Sequence, residues 1–259
     1  MKKQGLLSFI LALVGAMWIA TAGAQTKYNL KIAGVEVTSA NCNDLTVIPG
    51  VKGKVKYNDA TKTLTLENTI IHATAEDNYD GDGSGIYNYN DADSLTIRLI
   101  GNNLITSKKG PGILNEELCS IILTGGGKLV VKGSTTASED HCQTGIFNRE
   151  LIIVRNCTLV VTGGERGIDC GLWTFDHCTM YVKGDNKSND PNKGSMGWIW
   201  FDKPEFIGCA ITSPKGVYWK QIESNYEPVF LLFGANGKVV TDWVIISPTH
   251  ANPNLPVRK

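Results

Sequence analysis

One short theme recurs along this chain and limits what it can fold into. "GIYN" begins at Gly85, "GILN" at Gly112, "GIFN" at Gly145, "GIDC" at Gly167 and "GWIW" at Gly197. The intervals of 27, 33, 22 and 30 residues are unequal, but short β-rich runs follow each signature. In the last three units Cys157, Cys178 and Cys209 fall 12, 11 and 12 residues after the glycine. The same alternation follows each cysteine: Leu159 and Val161, Met180 and Val182, Ile211 and Ser213. A period of two places one side chain inward and the next outward. No apolar stripe of helical period is sustained. Glycine-led units of roughly 22 residues with short strands are the pattern of a parallel β-helix, because a single coil cannot bury its apolar side alone.

The sequence therefore predicts an all-β, right-handed parallel β-helix with β-strand or hairpin caps at both ends. Stacked coils lie about 4.8 Å apart. Cys157, Cys178 and Cys209 form an inward column in this reading, and Asn88, Asn115 and Asn148 form an amide ladder. Residues 1–24 read as a signal peptide, 25–62 as an N-terminal β cap and 63–216 as coils. Residues 217–248 read as a C-terminal hairpin turning at Asn236-Gly237, and 249–259 as a disordered tail.

The signal reading rests on Lys2 and Lys3, the apolar run Leu6 to Ala20 and the small triplet Ala22-Gly23-Ala24. It implies export from a bacterium, to the periplasm or outer surface, with no transmembrane segment in the mature chain. Lys and Arg together number 25, as do Asp and Glu, so bulk charge gives no attraction for nucleic acid. Export permits disulfides, but seven cysteines leave at least one thiol unpaired.

The segments Val55 to Leu66, "VKYNDATKTLTL", and Leu95 to Asn103, "LTIRLIGNN", resemble secreted bacterial β-helix proteins of the carbohydrate-binding type. The resemblance spans roughly residues 28–215. It implies a right-handed helix, a surface or periplasmic setting and, as in some members, calcium-assisted polysaccharide binding. No binding motif of that group maps onto particular residues here.

Four sets of residues are candidates for chemistry. The stretch "DNYDGDGSG" offers Asp77, Asp80, Asp82 and Ser84 as calcium ligands. Calcium takes six to eight oxygens, and the alternative is a solvated acidic turn. Trp173, Trp198, Trp200 and Tyr181 are candidate sugar platforms, with packing of the last coils as the competing role. Arg155, Asp176 and His177 fall on adjacent coils when the signatures are aligned, and Glu165, Arg166 and Asp169 form a second cluster. Neither cluster carries a recognisable hydrolase or lyase motif. Variable segments before each signature fall on one edge of the solenoid, which is either a binding face or simply where length is tolerated. The leading expectation is a monomeric, non-catalytic polysaccharide-binding or cell-surface module, calcium-assisted, with affinity for an acidic glycan. A structural or adhesive protein contacting other proteins is one alternative. A β-helix polysaccharide lyase or glycoside hydrolase is the other.

Overall fold

Alternating apolar residues fold this chain into strands that pair with the next coil rather than with their neighbours in sequence. The computed structural model describes residues 25–249 except 77, 79, 91–93, 117, 137–142 and 225–226. Residues 1–24, read from the sequence as a signal peptide, Asp77, Cys142 and the residues beyond Thr249 lie outside the described residues.

The chain opens with β1 (Lys27–Ile32), β2 (Val35–Thr38), β3 (Val51–Asn58) and the long β4 (Thr63–Ala73). Coil one holds β5 (Ile86–Asn88), β6 (Leu95–Ile100) and β7 (Asn102–Ser107). Coil two holds β8 (Ile113–Asn115), β9 (Ile121–Thr124) and β10 (Lys128–Lys132). Coil three holds β11 (Thr144–Asn148), β12 (Leu151–Arg155) and β13 (Thr158–Gly163). Coil four holds β14 (Arg166–Asp169), β15 (Leu172–Asp176) and β16 (Thr179–Gly184). Coil five holds β17 (Met196–Gly197), β18 (Ile199–Trp200), β19 (Glu205–Ile207) and β20 (Cys209–Ser213). The chain closes with β21 (Tyr218–Ile222), β22 (Val229–Phe233) and β23 (Val244–Pro248).

The fold is a parallel β-helix with three faces. The first face stacks β17-β14-β11-β8-β5, continued by β1 and β2. The second stacks β19-β15-β12-β9-β6-β4, and the third runs β4-β7-β10-β13-β16-β23-β20. β4 belongs to both later faces: Thr63 to Glu67 pair with β6, and Ile70 to Ala73 with β7. The bend falls at Asn68, whose φ is +48°. Equivalent bends lie at Gly101, at the Gly125-Gly126 pair, and at Asn156, His177 and Gly208, all left-handed. A left-handed residue costs little for Gly and is tolerated by Asn and His, so one or two such residues per coil turn the chain from second face to third.

The interior is filled in register. Ile86, Ile113, Ile146, Ile168 and Met196 stack on the first face, all fully buried. Leu129, Leu159 and Met180 do so on the third. Each such side chain contributes about 1.5–3 kcal/mol by leaving water. The recurring glycine has a steric cause. A Cβ at Gly85, Gly112, Gly145 or Gly167 would overlap Ile105, Val131, Val161 or Val182, the branched residue that closes the same coil.

The Asn ladder forms: Asn88 donates to Asn115, and Asn115 to Asn148, each at 2.8 Å. Asn148 then donates to the carbonyls of Glu150 and Leu172 at 3.0 and 3.1 Å, which ends the ladder where Cys170 replaces asparagine. Cys157, Cys178 and Cys209 are buried at successive corners, and all are free thiols. Burial pushes the Cys157 thiol up to about 12 and raises that of Cys178, whose neighbours Cys209 and Cys157 raise it further.

Three expectations are corrected. Met196, not Gly197, sits beside Ile168, so Ser195 takes the corner place of Gly167 and the fifth signature is out of register. Ile211 does not stack on Met180. β23 enters antiparallel between β16 and β20, so Met180 meets Ile246, and Ile246 meets Ile211. The C-terminal cap is also rearranged: β22 pairs with β21 and β18. The Asn236-Gly237 turn forms, closed by a Gly234 to Lys238 hydrogen bond of 2.8 Å, but its second arm supplies β23 to the third face. At the other end, β3 pairs antiparallel with β4 through a turn where Asn58 accepts the Thr61 amide at 3.2 Å.

Candidate functional site

Corners between the first and second faces stack as the strands do, so residues some thirty positions apart become neighbours along that edge. In the last four coils the edge opens into a cleft of about 540 Å³. Its floor and walls come from Leu118 of coil two, Arg149 and Glu150 of coil three, Cys170 of coil four, and Trp198, Trp200 and Phe201 of coil five. Val229, which opens β22, and Glu227 just before it close one side.

The backbone around this cleft is costly. Leu118, Cys170, Trp198 and Phe201 have φ of +63°, +62°, +52° and +65°. Most other left-handed non-glycine residues are asparagines. Bulky residues in this conformation cost of order 1–3 kcal/mol each, and such strain gathers at functional sites. Here it aims three aromatic rings toward one hollow. Phe201 is 51% exposed, Trp198 and Trp200 are half-buried, and the rings of Trp200 and Phe201 meet edge-on at 6.4 Å. The Trp198 ring carries the Arg166 guanidinium at 5.7 Å, while its buried Nε1 has no hydrogen-bond partner among the described residues. Arg149 is drawn to Glu116 at 3.5 Å and lies over the Phe147 ring. The charged groups of the lining are thus one arginine and two carboxylates, Glu150 and Glu227.

Of the aromatic candidates, Trp198 and Trp200 line this cleft. Trp173 does not. It is 2% exposed, donates from Nε1 to the Cys170 carbonyl at 2.7 Å and packs beside Phe175, so it is removed from the sugar-platform set as an interior filler. Tyr181 stands on the outside of the third face, far from the cleft's edge in register, and is 36% exposed.

The acidic turn is organised by a lysine. Lys31 donates to the Asp82 carboxylate at 2.7 Å and to the Asp80 carbonyl at 2.9 Å. Asn78 donates to the other Asp82 oxygen at 3.0 Å. Burial works against the charge on Asp82, and the bonds from Lys31 and Asn78 outweigh it, holding the carboxyl below its ordinary value. Ser84 Oγ is buried and faces no partner among the described groups, and Asp80 is exposed. The Asp82 carboxylate, offered by the sequence as a calcium ligand, is thus engaged by the Lys31 ammonium. No three His, Cys, Asp or Glu side chains converge on a metal position among the described residues.

Arg155, Asp176 and His177 do come together. Arg155 Nε donates to one Asp176 oxygen at 2.6 Å, and His177 Nδ1 lies 2.7 Å from the other. Hydrogen bonds from His177 and then Arg155 hold the Asp176 carboxyl below its ordinary range. The His177 ring lies over Gly208, at the corner its left-handed backbone makes. With both carboxylate oxygens engaged, Asp176 is placed to fasten adjacent coils. Glu165 ties a loop to its coil. Glu165 accepts from the Ser188 amide and hydroxyl at 3.0 and 2.7 Å. Arg166 and Asp169 form a buried pair at 2.9 Å. Burial raises the Asp169 carboxyl and Arg166 opposes that shift.

Sequence reasoning missed Leu118, Arg149, Glu150, Phe201 and Glu227. The signal was present for the first four: each falls a few residues after its "GI" signature, at the same corner. Glu227 arrives from the rearranged cap, which no repeat reveals. On the first face Leu114 and Asp169 are fully buried. Comparison with protein-family models, curated proteins and solved structures finds no match to this chain. The fold and the cleft together define it as a capped β-helix solenoid with an aromatic edge cleft.

Proposed function

We propose that this protein is an exported, non-catalytic glycan-binding module whose ligand seats in the cleft of Trp198, Trp200 and Phe201. The observation that carries the reading is the cleft itself: three partly exposed rings held by a strained, rigid edge beside Arg149, Glu150 and Glu227. Sugar rings present apolar C–H faces that pack on aromatic rings, and hydroxyls that bond to carboxylate and guanidinium groups. Two carboxylates against one arginine disfavour an acidic sugar here, so the cleft suits a neutral oligosaccharide. No described helix is long and apolar enough to cross a membrane. The catalytic alternative has less support, because Arg155, Asp176 and His177 lie outside the cleft lining and satisfy one another.

A panel of neutral oligosaccharides, read by affinity electrophoresis and calorimetry, tests the proposal. Wild-type protein is expected to be retained by at least one. Trp200→Ala, which alters a half-buried ring, is expected to weaken that binding by about tenfold or more, as loss of an aromatic anchor commonly does. Its unfolding temperature should stay close to wild type. Wild-type protein that binds nothing in the panel, or a Trp200→Ala variant that binds equally well, overturns the assignment.

A further inference from the structure

The third face presents a different surface from the cleft. Its outward side chains fall in three rows along the solenoid axis. Ile70, Leu104, Val130, Val160, Tyr181 and Ile245 form the central row, each in register with the next. On one side run Asn102, Lys128, Thr158 and Thr179. On the other run His72, Thr106, Lys132, Thr162 and Lys183. No strand of this face, from the second half of β4 through β20, contains an aspartate or a glutamate. Lys128 and Lys132 are exposed and have no carboxylate partner among the described residues, whereas Lys183 is paired with Asp185 at 3.1 Å.

Insertion of β23 completes this surface. It brings Trp243, 37% exposed, to the same side as Tyr181, 36% exposed. A shallow hollow of about 600 Å³ forms between Lys128, Thr158, Val160, Thr179, Tyr181, Trp243 and Ile245. Seven stacked strands give a track of about 29 Å along the axis at the usual strand spacing.

We propose that this face is a second ligand surface, separate from the cleft, that binds an extended anionic glycan lying along the solenoid axis. Tyr181 and Trp243 supply platforms for sugar faces. Threonine hydroxyls on the flanking rows both donate and accept hydrogen bonds, as polyhydroxyl ligands require. The lysines supply charge of one sign, unopposed on the strands, and the repeat of groups from rung to rung matches a ligand that itself repeats. A linear glycan bearing carboxylates or sulfates has these properties. A compact protein partner does not need an axial repeat, and duplex DNA has no exposed apolar ring face to meet Tyr181.

The test uses the mature chain and three probes: a polyuronate oligosaccharide, a sulfated oligosaccharide and duplex DNA of similar charge. Binding to at least one of the two glycans is expected, weakening as salt is raised, and DNA should bind at least tenfold more weakly. Lys128→Glu and Tyr181→Ala should each lower glycan affinity several-fold, and together by about tenfold or more. Trp200→Ala in the cleft should leave this binding unchanged, which separates failure here from failure of the cleft assignment. Far-UV circular dichroism and unfolding temperature of each variant confirm folding; both residues are exposed, so both should match wild type. Equal affinity for DNA, undiminished binding by the double variant, or no binding to either glycan overturns the proposal.

Discussion

Asn115 holds coils on both sides of it at once. Its amide accepts from Asn88 and donates to Asn148, and its position is fully buried. Each bond contributes about 1 kcal/mol net, but loss of one partner would strand a buried amide at greater cost. His177 shows why residue type alone misleads. Beside Asp176 and Arg155 it reads as a catalytic group, yet its φ of +47° makes it the equivalent of Asn156 and Gly208 at the same corner. Lys31 is the converse, an unremarked residue in β1 that determines what the acidic turn can do. Because Asp82 is held below its ordinary value, its contribution is fully present above the unfolded carboxyl value of about 3.9 and is lost as pH falls through the lower folded value. Amides of Gly81 to Ser84 should therefore lose hydrogen-exchange protection on acidification below about pH 4, after correction for intrinsic rates. Lys31→Met should remove most of that dependence; identical profiles for the two proteins would show that the pair does not hold the turn.

At the scale of elements, the coil strands were legible and the last strand was not. Period-two alternation in "LVVK", "LVVTG" and "MYVKG" is a local signal, so Leu129, Leu159 and Met180 could be aligned without coordinates. β23 carries the same alternation, but its place between β16 and β20 depends on a long return of the chain that leaves no mark on either strand. Gly197 misled for a related reason: the local string matched while the spacing had slipped, and pairing of Ile168 with Met196 sets the true register. The cleft was half legible. Trp198 and Trp200 stood out as residue types, whereas Arg149 and Phe201 gain meaning only when corners are superposed. β23 also yields a stability prediction. Ile246 is fully buried between Met180 and Ile211. Ile246→Ala should cost about 2–5 kcal/mol in denaturant unfolding, within the range for buried aliphatic truncations. Exchange in Cys209 to Ser213 should rise as their partner strand loosens. An unchanged midpoint would mean that β23 lies on the surface rather than within the sheet.

Across the whole molecule, each coil touches chiefly the coils beside it, so stability is roughly a sum of coil and interface contributions. No staple is needed if the interior columns are continuous. Cys157, Cys178 and Cys209, at successive corners, are free thiols and act as small apolar fillers. Their chemistry follows from their burial. The thiolate is the reactive form, and burial keeps Cys157 and Cys178 protonated well above neutrality. Iodoacetamide at about pH 8, near the value of a free thiol, should therefore leave Cys157 and Cys178 unmodified in the native protein and label them once denaturant unfolds it. Peptide mass mapping reads both states. Native labelling of Cys178 would show that the corner column is open to solvent, and that the continuous interior does not hold the coils together unaided.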